Sequence, residues 1–262
     1  AAAAVVAGAV YICGGSSGSC TLNSVERLNA SHQVWEEVTP MLFVRQGAAA
    51  VAVGHRLYVM GGWNNAEQFL SSCERLDPLA MGRNGLASWE EMPPLVHRRA
   101  RLSAGIISNR VYACGGVCSR ECHSTVERIQ TDHDTLWHLL GGARSSWHAA
   151  PSMQERRDGA SVAVMGGMLY VCGGRNERLT LNSVERFNET LGRWEAVAPM
   201  LLPRFSAGLA AAAGRLYIFG GTPTAQACSS NAEQYDPVAQ TWDPLTAMTT
   251  VRWGIAALAV PW

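Results

Sequence analysis

Charge is scarce in this 262-residue chain, and what there is cancels: 21 Lys and Arg stand against 21 Asp and Glu. Without a basic surplus there is no counterion-release drive toward nucleic acid and no pull toward an anionic membrane. No apolar run reaches the roughly eighteen residues that a membrane-spanning helix needs. The apolar opening, residues 1–6, has neither an initiator Met nor a basic segment before it, so it does not read as a signal peptide. The chain reads instead as a piece of a longer polypeptide, with any targeting segment elsewhere. Helix-period stretches of useful length are missing as well. No phosphate-binding glycine loop opens a helix, and no Ser-His-Asp set can be assembled. No enzyme and no cofactor are expected on these grounds.

What is present is apolar and periodic. Hydrophobic residues make up 48% of the chain, enough for a folded core. Of the eight cysteines, Cys13, Cys114 and Cys172 each precede a Gly-Gly pair, a position filled by Met60 and Phe219 elsewhere. A position that accepts Cys, Met or Phe is an apolar core position. The cysteines therefore predict a reduced, cytoplasmic protein, not a disulfide framework.

Aligning on the Gly-Gly pairs exposes an internal repeat. Tyr11, Tyr58, Tyr112, Tyr170 and Tyr217 each lie three residues before such a pair. Each is followed by Glu-Arg or Glu-Gln (Glu26, Glu74, Glu127, Glu185, Glu233) and then by a Trp (Trp35, Trp89, Trp147, Trp194, Trp242). Ten residues beyond each Trp stands an Arg: Arg45, Arg99, Arg157, Arg204 and Arg252. Each repeat reads as four short strands separated by Gly and Asn breaks. The first strand of each is built from small residues, as in Ala48 to Ala50 and Ala210 to Ala213. Small side chains suit sheets that crowd toward a common axis, while Tyr and Trp fill the wider space between sheets.

These residues resemble the kelch repeat over essentially the whole chain. Its marks are the Gly-Gly pairs, the Glu-Arg before Asp77 or Asn188, the Trp, and the Pro-Met of Pro40-Met41 and Pro199-Met200. The resemblance implies an all-β fold, a kelch β-propeller of four-stranded antiparallel blades occupying 1–262 as one domain. The repeats fall near 1–46, 47–102, 103–158, 159–205 and 206–252. Closure is left with two readings. Both residues 1–6 and residues 253–260 look like inner strands, giving six candidates for five visible repeats. Either the ring has five blades, or it has six with one incomplete. The favoured expectation is that 253–260 is a closing inner strand that completes the blade of Tyr11 and removes a bare sheet edge.

In an up-and-down sheet successive loops alternate ends. The loops carrying the repeat arginines therefore share a face with those that follow Gly-Gly. Two readings of the arginines stand together: a cationic mouth for an acidic peptide, or a repeated structural bond to carbonyls or across blades. The next residue varies freely (Gln46, Ala100, Asp158, Phe205, Trp253), and recognition needs such variety where structure does not. Phe205 and Trp253 would act as aromatic anchors there. Arg101 has no counterpart in other copies. Trp63, Asn64, Asn65, Arg175 and Asn176 follow Gly-Gly on the same face. The resemblance also implies a propeller that recognises a protein or peptide substrate for a cullin-based ubiquitin ligase, behind a BTB domain through which the protein would oligomerise. In that branch the grip falls at positions matching Arg45, Arg157, Arg204, Arg175 and Asn176. The Asp-Gly that often follows Gly-Gly there is absent from all five copies.

Alternatives remain. Insertions at 79–88 and 130–146 lengthen two loops on the opposite face and suit a scaffold. A copper oxidase or sugar isomerase propeller is the enzyme reading, but only His97 lies near the repeat arginines. Cys118, Cys122 and His123 form a weak metal or redox candidate. His133, His138 and His148 lie in or beside the third-copy insertion.

Overall fold

A computed structural model describes residues 1–29, 32–66, 68–80, 87–131, 145–224 and 227–259. Among them there are strands and turns and no helix. Five four-stranded antiparallel sheets follow one another as the five blades of a β-propeller. Blade 1 comprises β1 (Ala2–Val6), β2 (Ala9–Ser16), β3 (Thr21–Asn29) and β4 (Val34–Val38). Blade 2 comprises β5 (Ala49–Val53), β6 (Arg56–Met60), β7 (Cys73–Leu76) and β8 (Trp89–Met92). In blade 3, β9 (Ser103–Ile107) and β10 (Arg110–Cys114) are followed by a small hairpin, β11 (Val117–Cys118) and β12 (Glu121–Cys122). The blade is completed by β13 (Val126–Gln130) and β14 (His148–Ala150). Blade 4 holds β15 (Ser161–Met165), β16 (Met168–Cys172), β17 (Val184–Asn188) and β18 (Arg193–Val197). Blade 5 holds β19 (Gly208–Ala212), β20 (Arg215–Phe219), β21 (Ala232–Asp236) and β22 (Thr241–Leu245).

Blades 2, 3 and 4 bury both faces, which is why β6, β10 and β16 carry unbroken buried apolar runs rather than alternation. In β6, Leu57 and Val59 face blade 1, while Tyr58 and Met60 face blade 3. The repeat Trp lies in the same gaps. Trp89, Trp147, Trp194 and Trp242 donate Nε1 to the carbonyls of Thr39, Pro93, Pro151 and Ala198 in the preceding blade. The Gly-Gly pair has a steric reason. A Cβ on Gly115, whose φ is +60°, would lie 2.4 Å from the Arg157 carbonyl oxygen.

One expectation is corrected. Blade 1 takes its inner strand from the N-terminal segment: β1 pairs with β2 from Ala2 opposite Cys13 to Val6 opposite Ala9. Residues 253–259 therefore do not complete that sheet; residue 260 lies outside the described residues. Ile255 and Ala257 run beside β19 instead, within 3.1 Å of where a Cβ on Gly208 would stand. Most of the inserted loops, residues 81–86 and 132–144 with His133 and His138, also lies outside the described residues.

Candidate functional site

Four of the five repeat arginines are interior residues. Arg45, Arg99, Arg157 and Arg204 are each at most 2% exposed and reach into the following blade. Arg45 Nε donates to Glu74 Oε1 at 2.7 Å, and its Nη1 donates to the carbonyls of Gly61 and Ser72. Arg157 makes the same set with Glu185, Gly173 and Ser183, and Arg204 with Glu233, Gly220 and Asn231. The Glu carboxylates also accept backbone amides, such as Leu201 and Leu202 on Glu233. A buried charge persists only when paired and hydrogen-bonded, and each of the four is paired with its Glu, although the buried Nε of Arg99 has no partner. The placement of Arg45, Arg99, Arg157 and Arg204 on a partner-facing mouth is thus corrected, because all four guanidinium groups are buried between blades and ion-paired there. Arg252 alone is exposed.

The variable residues do come together with the Gly-Gly loops. Antiparallel bridges join Gln46 to Trp63, Ala100 to Val117, Asp158 to Arg175 and Phe205 to Thr222. Blades 2 to 5 therefore each bring one residue after the Arg beside one residue after Gly-Gly, on one face around the central channel.

Arg101 stands at the centre of this face. The second residue after each repeat Arg is left-handed in every blade: Gly47, Gly159 and Gly254 near +62°, Ser206 at +54° and Arg101 at +49°. Three blades use Gly, which has no Cβ to object. A long side chain held there is strained, and strain of this kind collects at functional positions. Arg101 Nε donates to Asp158 Oδ1 at 2.7 Å and its Nη2 to Oδ2 at 2.8 Å. Arg175 Nε donates to the same carboxylate at 3.0 Å. The Asp158 side chain is 1% exposed, while those of Arg101 and Arg175 are 28% and 43% exposed. Arg101 lies 5.3 Å from the Trp63 ring centroid and 5.7 Å from that of Phe205, and Arg175 lies 4.5 Å from Phe205. Two cations share one buried carboxylate, so the cluster keeps a net positive charge and outward-facing donors. A cleft of about 750 Å³ opens beside it, lined also by Phe69, Arg120, Asn176 and Thr224.

The other predicted residues divide. Asn176 accepts the amides of Arg178 and Leu179 on Oδ1, and Asn64 those of Ala66 and Gln68, so both side-chain carbonyls shape their loops. Asn65 accepts the Thr21 amide. Trp253 is 63% exposed and lines, with Arg101, Trp63 and Phe205, a cavity of about 590 Å³. Sequence reasoning missed the apolar residues of the arginine loops. Leu42, Val96 and Leu201 are exposed on the mouth face, and the run after each Pro-Met or Pro-Pro was the available signal.

The cysteines are all free. Burial pushes the Cys13, Cys73, Cys114 and Cys172 thiols up to about 12. Cys122 is buried and its thiol is raised by that burial, which argues against a reactive thiolate. Among the described residues no group of three His, Cys, Asp or Glu is placed to hold a metal ion. His123 is held below its ordinary value, first by burial and then by Arg99 and His97.

A family profile for the Kelch motif matches residues 1–42, 45–95, 98–154, 156–201 and 203–249. The chain belongs to the kelch family. Kelch-like protein 25 of Xenopus tropicalis is 25% identical over 251 residues, covering 91% of this chain and 39% of the relative. Kelch repeat protein M-T8 of Myxoma virus is 25% identical, covering 82% of this chain and 39% of its own length. Kelch repeat and BTB domain-containing protein 13 of Homo sapiens is 31% identical over 133 residues, half of this chain and 27% of that protein. The chain thus spans about 39% of the length of the first two of these relatives.

Proposed function

We propose that this kelch propeller is a protein-interaction module that captures a peptide or protein on the face carrying Arg101, as the substrate-recognition arm of a ubiquitin-ligase adaptor. The strained, ring-flanked Arg101 carries the reading. Its equivalents are Gly or Ser, so the fold does not need an arginine there. Exposed guanidinium donors beside aromatic rings suit a partner segment with a carboxylate flanked by apolar residues. The kelch-like and BTB-bearing relatives support the adaptor reading.

Arg101→Gly tests it, since Gly occupies that position in three blades. Peptides selected from a displayed random library against the unaltered chain should carry Asp or Glu and should lose binding to the variant. The variant's melting temperature reports whether the fold is kept. Peptides that bind a folded Arg101→Gly variant equally well would remove the site from the face.

A further inference from the structure

The cleft beside Asp158 holds more positive charge than its own carboxylates cancel. Arg101, Arg120, Arg175 and Arg178 line it, against Asp158 and Glu177. Both acids are already engaged. Asp158 accepts Nε and Nη2 of Arg101 and Nε of Arg175, and Glu177 pairs with Arg156 at 3.2 Å. Arg120 and Arg178 are exposed, and among the described residues no carboxylate pairs with either. Four guanidinium groups against two carboxylates leave a surplus of two positive charges, in a chain whose formal net charge is zero.

The hairpin that carries Arg120 is built against its local preference. Ser119 and Arg120 form the two-residue turn between β11 and β12, with φ of +49° and +84°. Such a turn favours Asn-Gly, because both central residues are left-handed. Arg120 therefore repeats what Arg101 shows in the same cleft, a long cationic side chain at a position that suits Gly. On the blade 4 side the loop is fixed: Asn176 Oδ1 accepts the amides of Arg178 and Leu179.

We propose that this cleft binds a phosphorylated side chain of a partner peptide, with Arg120 and Arg178 supplying the donors that Arg101 and Arg175 have spent on Asp158. A phosphomonoester carries a charge of about −1.5 to −2 at neutral pH and three acceptor oxygens, which suits a surplus of two charges on planar guanidinium forks. A carboxylate, with one charge and two acceptors, leaves part of the surplus uncancelled. Nucleic acid fits less well, because the surplus is confined to one cleft of about 750 Å³ and the chain has no basic excess to follow a phosphate backbone. The site rests on the peptide-binding reading of the same face and adds a second anionic position beside Arg101.

The test uses the full chain and three peptide libraries with random flanks around one fixed residue, phosphoserine, Asp or Ser. The tightest phosphoserine peptide is then resynthesised with Asp and with Ser, and fluorescence polarisation reads all three. The proposal expects the phosphoserine form to bind at least about tenfold tighter than the Asp form, with inorganic phosphate competing. It expects Arg120→Gly and Arg178→Ala each to remove most of that preference at an unchanged melting temperature. Gly suits the turn and residue 178 is exposed, so both variants should fold. Equal binding of the phosphoserine and Asp forms overturns the proposal, as does a preference that survives in both folded variants. In either case Asp-bearing peptides lost by Arg101→Gly keep the peptide-binding reading and strike only the phosphate site. A phosphoserine preference that needs Arg120 and Arg178 but not Arg101 supports the cleft and removes Arg101 from the face. Binding to phosphatidylcholine vesicles that carry phosphatidylinositol bisphosphate, lost in the same variants and with no phosphopeptide retained, would assign the cleft to a lipid headgroup and overturn the proposal.

Discussion

Arg204 fastens the fourth blade to the fifth through Glu233: Nη2 donates to Oε1 at 2.8 Å, with both side chains at most 2% exposed. Arg252 holds the same repeat position one blade on and meets no carboxylate. Arg204→Ala leaves a buried carboxylate without its cation and should cost about 3–5 kcal/mol. Arg252→Ala should stay within about 0.5 kcal/mol, as surface changes usually do. Urea unfolding of the two variants side by side checks the contrast. Equal losses would mean that Arg252 has a partner.

The repeat tryptophans divide in the same way. Trp194→Ala empties a packed gap beside Phe187 and removes the bond to the Pro151 carbonyl, at a cost of about 3–5 kcal/mol. Trp35→Ala should cost less than about 1 kcal/mol, because the ring is half in solvent. Thermal melts of both variants separate the two cases.

Glycine substitutions should separate conformational strain from steric clash. Gly115 and Gly166 have nearly the same φ, +60° and +59°. A Cβ on Gly115 collides with the Arg157 carbonyl, whereas nothing lies within 4 Å of one on Gly166. Gly166→Ala should therefore cost only the left-handed penalty, about 1–2 kcal/mol. Gly115→Ala should cost more, and denaturation midpoints rank them.

His123 predicts a pH dependence of stability. Its buried Nε2 has no hydrogen-bond partner, and Arg99 and His97 add positive charge nearby, so the folded state favours the neutral ring; Glu121 and Glu127 oppose this only in part. With the folded value lowered, the unfolded chain takes up the proton first as pH falls. The stability tied to neutral His123 is complete above the unfolded value of 6.5 and is lost as pH drops below it toward the folded value. His123→Phe should flatten the melting-temperature profile between about pH 7.5 and 5.5. A profile of unchanged slope would assign the acid sensitivity to other groups.

Much of this was legible in the residues. Tyr, Gly-Gly, Glu, Trp and Arg recur at near-fixed offsets, so the family, the strand order within each blade and the shared face of two loop types follow from spacing. The role of the arginines was legible too, through a signal that was not used. Each buried Arg lies 28 or 29 residues before its Glu, and that constant interval marks an inter-blade pair. Arg101 was singled out because no other copy has it, but its left-handed backbone and its hold on Asp158 were not visible.

The sequence by itself determined what each blade is, because a meander's contacts are local and repeat with the chain. Tertiary structure decided which copies are complete. Glu26 and Glu233, or Trp35 and Trp242, are the same residues in the same local pattern. They differ only in whether another blade lies across the gap, and burial is a property of that neighbour, not of the residue.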